Sequence, residues 1–136
     1  MDAIVELVNV TKIYNLGEVE VYALRKINIK INRGEILGIM GPSGSGKTTL
    51  LNLIGTLDKP DSGKIFIDGM DIGSIKEKEL VSLRRKKIGY IFQFYNLIPV
   101  LTAVDNVGLP MLLAGINRGT REKRARELLE LVGLKK

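Results

Sequence analysis

Lys47 is preceded by a run of glycines and serines and followed by two threonines: Gly41-Pro42-Ser43-Gly44-Ser45-Gly46-Lys47-Thr48-Thr49. Gly41, Gly46, Lys47 and Thr48 stand at the spacing of a phosphate-binding loop, Gly-x-x-x-x-Gly-Lys-Ser/Thr. The residue types suit that chemistry. Glycines let the backbone take conformations that a Cβ forbids, so successive N–H groups can turn inward around an anion. A helix beginning at Lys47 adds its positive N-terminal end. The Lys47 ammonium would meet the β- and γ-phosphates of a nucleotide, and the Thr48 hydroxyl would ligate Mg²⁺. The whole stretch from Gly41 to Thr49 is therefore read as nucleotide-binding.

Such a loop works between a strand and a helix, and the flanking residues supply both signals. Upstream, Glu35-Ile36-Leu37-Gly38-Ile39-Met40 is a short apolar run that reads as a buried strand. Downstream, Leu50, Leu51, Leu53, Ile54 and Leu57 recur at helical spacing. Before the loop, Ile4–Val10 alternates as a first strand with one wet face. Residues 11–21, with Tyr14, Asn15 and Gly17, read as a connecting loop. Tyr22–Ile31 reads as a second strand antiparallel to the first, and Asn32-Arg33-Gly34 as a tight turn.

After the helix, which should stop near Leu57, residues 58–63 are dense turn chemistry. Lys64–Ile67 is a brief strand and Asp68-Gly69 a turn. Ser74-Ile75-Lys76-Glu77 reads as a capping box opening a basic helix through Arg85. Ile88–Phe92 is the next expected buried strand, with Gln93 at its end. A glutamine there either ligates Mg²⁺ or positions a water through its amide, or is simply a solvated residue at a strand end. The last third reads as helical. Thr102 caps one helix, which Pro110 disturbs. Thr120 caps a second, with the apolar stripe Ala125, Leu128, Leu129 and Val132 and a stop at Gly133.

Composition sets the outer limits. The 136 residues are 45% apolar and 26% charged, which suits a folded domain. With no cysteine and no histidine, disulfides, thiolate metal sites and histidine acid–base chemistry are excluded. No apolar run approaches the ~18 residues of a membrane helix, and the start Met1-Asp2-Ala3-Ile4 lacks the basic opening of a signal peptide. The net charge of +6 concentrates in residues 76–87 and 117–136. Neither cluster interleaves aromatics, so both read as solvated helix faces and no nucleic-acid partner is expected.

Three motifs in order, Thr11-Lys12-Ile13-Tyr14, the loop at Gly41–Thr49 and Tyr90-Ile91-Phe92-Gln93, carry a resemblance. The sequence resembles the N-terminal part of the ATP-binding subunit of an ABC transporter, of the lipoprotein-release and macrolide-export type. Residues 55–63 (Gly-Thr-Leu-Asp-Lys-Pro-Asp-Ser-Gly), Asn96–Pro99 and residues 101–107 agree as well. The resemblance implies an α/β fold, the P-loop NTPase fold of the ABC ATPase type, in incomplete form. It would comprise an N-terminal antiparallel β-region and phosphate-loop core over residues 1–92, then a glutamine loop and the start of a helical subdomain over 93–136. It also implies that Tyr14 stacks on adenine, and that Gln93 contacts Mg²⁺ and couples the site to membrane subunits. ATP and Mg²⁺ are the implied cofactors. The implied partners are transmembrane permease subunits, reached through Asn96–Leu113, and a second ATP-binding subunit. The implied location is cytoplasmic, peripheral on the inner face of the cell membrane.

The departures define the expected activity. The family's Leu-Ser-Gly-Gly-Gln signature, its catalytic glutamate and its switch histidine do not occur in the sequence, and Phe94 stands where many relatives carry a polar residue. The expectation is a truncated reading frame or a piece of a longer chain, binding nucleotide weakly and hydrolysing it negligibly. The alternative is a non-catalytic nucleotide-binding or partner-binding fragment. Apolar faces at Ile36–Met40 and Ile88–Phe92 would then be exposed and favour a self-associated or strand-exchanged oligomer.

Overall fold

The computed structural model describes residues 3–134. Met1 and Asp2 of the N-terminal reading, and Lys135 and Lys136 of the second basic cluster, lie outside the described residues. The chain divides into two compact units, Met1–Ile88 and Gly89–Lys136.

The first unit is built on a long antiparallel hairpin of β1 (Ala3–Leu16) and β2 (Val19–Asn32). Tyr14 and Asn15, expected in a loop, are strand residues. The chain reverses in only two residues, Gly17 and Glu18, and Gly17 has the positive φ of +69° that a tight hairpin turn demands. β3 (Ser62–Ile67) pairs with the other edge of β1, and β4 (Met70–Asp71) follows through the Asp68-Gly69 turn, giving the order β2-β1-β3-β4. α1 (Lys47–Ile54) and α2 (Glu77–Lys87) place Leu50, Leu53, Leu80 and Leu83 in a core with Leu7, Val10, Leu24, Ile65 and Ile67 of the sheet. The cap of α2 is Lys76 rather than Ser74. Its backbone N–H donates to Glu79 Oε2 at 3.0 Å, while the Ser74 hydroxyl turns back to the Asp71 carbonyl.

β1 carries an irregularity with structural weight. Its register slips by one residue between Leu7 and Val10 against β2 and between Val8 and Thr11 against β3, leaving Asn9 in the left-handed region at φ +50°. The lost ladder bonds are replaced by side chains: Asn9 N–H donates to Asn28 Oδ1 at 2.9 Å and the Asn28 amide returns a bond to Asn9 Oδ1. A strict alternation would set Leu7 and Val10 on opposite faces. The bulge puts both in the core, at 1% and 0% exposure, and brings Lys12 to the same side.

Two expected strands do not form. Glu35–Met40 and Ile88–Phe92 have no ladder partner among the described residues. Strand propensity biases a segment toward extension, but a strand needs a neighbour to take its N–H and C=O groups. Ile36, Met40 and Ile91 stand 95% or more exposed.

The second unit holds α3 (Ala103–Leu113) and α4 (Arg118–Leu131). Thr102 caps α3 by accepting the Asp105 N–H at 3.1 Å. Pro110, on the exposed side, does not end the helix, which runs three residues further. α4 is capped by Asn117, whose Oδ1 accepts from the Thr120 N–H at 3.0 Å, so Thr120 is the donor rather than the cap. Of the expected stripe, Ala125 is buried and Leu128 and Leu129 are half-buried, but Val132 lies beyond the helix and is exposed. Gly133 closes α4 at φ +80°, with Leu134 N–H bonded to the Leu129 carbonyl and Gly133 N–H to that of Glu130.

Candidate functional site

Gly41–Gly46 curls into α1, and its glycines are needed for steric reasons. Gly44 and Gly46 have φ of +78° and +89°. A Cβ at Gly46 would stand 2.5 Å from the Ala23 carbonyl oxygen of β2, and one at Gly41 would stand 2.7 Å from Ser45 Oγ. The loop therefore closes on itself and against the hairpin as only glycine allows. Lys47 folds back over it: Nζ donates to the Gly41 carbonyl at 2.9 Å and the Pro42 carbonyl at 2.7 Å. α1 has no acidic residue in its first turn, and its Gly46 cap offers no side-chain acceptor. No local carboxylate competes for the first-turn N–H groups.

Pro42, Ser43, Ser45 and Thr48 are exposed on this loop and first turn, and Thr49 is half-buried. A cradle that a Cβ would fill, an uncapped helix start and an ammonium held over both fit a phosphate chain with its Mg²⁺. Among the described residues no cluster of three or more carboxylates could hold a metal alone. Any Mg²⁺ would rest on Thr48 and on phosphate oxygens, as that ion prefers.

Tyr14 lies near the end of β1, opposite Val21 of β2, two residues from the Ala23 carbonyl that abuts Gly46. At strand spacings, its backbone is on the order of 10 Å from the loop. Its ring is fixed in place. The hydroxyl donates to Asp58 Oδ2 at 3.0 Å, and Lys12 Nζ sits over the ring, 5.2 Å from its centroid. Lys12 is held in turn by Asp58 Oδ1 at 2.9 Å and by the Lys59 carbonyl at 2.8 Å. Burial alone would raise the Asp58 carboxyl. The Lys12 ammonium, the Lys59 N–H and the Tyr14 hydroxyl outweigh it and hold Asp58 below the ordinary carboxylate value. Burial likewise opposes the charge on Lys12, yet the Asp58 bond and the nearby carboxylates keep its pKa above the ordinary lysine value.

Sequence reasoning missed Lys12, Asp58 and Asp61. Lys12 is an 8%-exposed lysine inside a strand, and its carboxylate partner lies 46 residues away. Asp58 and Asp61 read as turn residues, and they are. Asp61 Oδ2 also accepts the Ile13 N–H at 2.7 Å, tying the turn to β1.

Gln93 lies in the second unit, on an exposed bend after the Ile88–Phe92 segment, which forms no strand. Tyr90 and Phe92 pack ring against ring, with centroids 4.7 Å apart. Phe94, Tyr95, Leu97 and Val100 follow with large exposed apolar surfaces. No helix among the described residues is long and apolar enough to cross a membrane.

Comparison with known proteins agrees with this geometry. The family model described as "ABC transporter" matches residues 24–136. An uncharacterised ABC transporter ATP-binding protein of Thermotoga maritima is 52% identical over 98% of this chain and 57% of its own length. The lipoprotein-releasing system ATP-binding protein LolD of Bacteroides thetaiotaomicron is 46% identical over 96% of this chain and 58% of its own length. Among solved structures, the dimeric post-hydrolysis ATP-binding cassette MJ0796 of Methanocaldococcus jannaschii, bound to ADP and Pi, superposes with a TM-score of 0.87 at 47% identity. That match covers 97% of this chain and 58% of the cassette. The chain thus spans little more than half the length of the relatives it matches.

Proposed function

Since the chain belongs to the ABC transporter family of ATP-binding proteins, we propose that it binds Mg-ATP and represents the energy-coupling subunit of an exporter. The observation that carries this reading is the Lys47 ammonium held over a glycine cradle at the start of α1. In this reading the N–H groups of Gly41–Thr49 surround the phosphates, and Lys47 balances their charge. Thr48 holds Mg²⁺ together with the phosphate oxygens, and Tyr14 takes the adenine. Bound Mg²⁺ would supply charge neutralisation at the terminal phosphates. Residues 1–92 would form the phosphate-loop core and 93–136 the glutamine loop and first part of a helical subdomain. The exposed apolar run after Gln93 supports a membrane-subunit contact across Asn96–Leu113. Such a contact would place the protein on the inner face of the membrane. A second ATP-binding subunit is the other expected partner, as in the MJ0796 dimer.

Phosphoryl transfer is mostly positioning and charge stabilisation. The sequence has no signature motif, catalytic glutamate or switch histidine to supply it, so the 136-residue chain binds nucleotide but turns it over negligibly. Equilibrium dialysis with Mg-ATP, alongside Lys47→Ala, tests the reading. Affinity should fall at least tenfold in the variant, in line with loss of a charge-assisted phosphate contact. Equal affinity in both proteins would refute the proposed site, and Lys47-dependent turnover at ordinary ATPase rates would refute the claim of inactivity.

A further inference from the structure

The cradle accounts for phosphates, but nothing in it selects or orients a base. A polar network of the first unit lies at the other end of α1. The helix that begins at Lys47 ends at Ile54, and the chain turns directly into Asp58. That turn is held by bonds from the Leu57 N–H (2.8 Å) and the Asp58 N–H (3.4 Å) to the Asn52 carbonyl. Asp58 then meets β1. One carboxylate oxygen accepts from the Tyr14 hydroxyl, the other from Lys12 Nζ and its own neighbour's N–H at Lys59.

We propose that Asp58 is a positioning residue: it fixes the plane of the Tyr14 ring, and through Lys12 it blocks one face, leaving the other for a nucleotide base. This deepens the reading that Tyr14 takes the base and rests on it. A phenol on a free strand end would swing about its Cα–Cβ bond. A 3.0 Å bond from its hydroxyl to a carboxylate removes that freedom before any ligand arrives. The ammonium over the ring cannot move away, because Asp58 and the Lys59 carbonyl both hold it. One face of the ring is therefore taken by a cation, an arrangement favoured in its own right. Asp58 follows the helix that starts at the phosphate cradle through a hydrogen-bonded turn, so α1 links the base platform to the cradle. The distance between them would be set by α1 and the hairpin, independently of side-chain reorientation.

The test separates base from phosphate. Affinities of the whole chain for Mg-ATP and for inorganic triphosphate with Mg²⁺ are measured for Asp58→Ala, Asp58→Asn, Tyr14→Phe and Tyr14→Ala. Tyr14→Phe keeps the ring and loses only the anchoring hydroxyl, so it stays informative should Asp58→Ala fail to fold. The proposal expects Asp58→Ala and Tyr14→Phe each to lower ATP affinity about tenfold, the scale of one base–aromatic stack, with triphosphate affinity unchanged. The variant combining Asp58→Ala with Tyr14→Phe should be no worse than either single one. Equal losses for ATP and triphosphate would make Asp58 merely structural and overturn the proposal. So would a Tyr14→Ala loss of base preference that neither Tyr14→Phe nor any Asp58 variant shares, in which case the platform reading survives alone. If Tyr14→Ala leaves the ATP-to-triphosphate ratio intact, the platform reading fails and this proposal with it.

Discussion

Gly46 packs its Cα against the Ala23 carbonyl so closely that a single added methyl would meet the oxygen at 2.5 Å. Its φ of +89° is also one that side chains rarely adopt. Gly46→Ala therefore carries two costs, a left-handed backbone worth about 1–2 kcal/mol and overpacking worth roughly 1–3 kcal/mol. A loss of at least about 2 kcal/mol in urea unfolding is expected, together with weaker ATP binding. Unchanged stability would mean that the loop does not lean on the hairpin.

Thr48 is exposed and makes no core contact. Thr48→Ala should leave unfolding within about 0.5 kcal/mol of the parent, as surface changes do. Its effect should appear in metal dependence: ATP binding in Mg²⁺ falls, while binding measured in a chelator barely changes. A variant whose Mg²⁺ response matches the parent's would remove Thr48 from the metal site.

Asp68 joins two distant parts of the first unit, with Arg33 Nη2 at 2.6 Å on one oxygen and Lys87 Nζ at 2.7 Å on the other. The Lys87 bond first, then Arg33, holds its carboxyl below the ordinary value. A depressed folded-state pKa stabilises above the unfolded value and ceases to do so as pH falls through the folded one. The stability gap between the parent and Asp68→Asn should be constant near neutrality. It should shrink only in acid, below the ordinary carboxylate value, and it should shrink with salt as well. A gap that widens on acidification would contradict the assignment.

Leu53 is fully buried between α1 and the sheet. Leu53→Ala should cost about 3 kcal/mol, the usual sum of transfer and cavity terms. Chemical denaturation reads it directly, and a cost under about 1 kcal/mol would show that the core closes without α1.

Ile36 and Met40, at 97% and 95% exposure, lie on backbone with no ladder partner among the described residues. Such a segment is a template for pairing with another chain. Light scattering should show mass rising with concentration, and Ile36→Lys with Met40→Lys should suppress the rise. A parent chain monomeric throughout would dispose of this expectation.

Sequence patterns served well where the determining interactions are local. The start of the helix at Lys47, the Asp68-Gly69 turn, the Thr102 cap and the Gly133 stop all rest on bonds within a few residues, and all appear as expected, although that helix ends at Ile54, short of the expected Leu57. Glu35–Met40 and Ile88–Phe92 misled because apolar, β-branched content announces a strand without supplying the neighbour that makes one. Residues 11–21 misled in the other direction. Their polar content suggested a loop, but β2 extends the hairpin to a two-residue turn. The Lys12–Asp58 pair had no local signature, since a buried lysine becomes tolerable only once a carboxylate 46 residues away folds against it.

The bulge at Asn9 has a consequence for how chains of this kind can vary in length. Seven positions separate Leu7 from Tyr14, an odd number, and alternation alone would send them to opposite faces. Because Asn9 absorbs the extra step, a chain lacking that one residue would still present the aromatic beside Asp58. What the architecture holds constant is the side of the sheet from which Tyr14 emerges. A pattern search that fixes the count of residues between Leu7 and the aromatic would therefore pass over sequences that build the same platform.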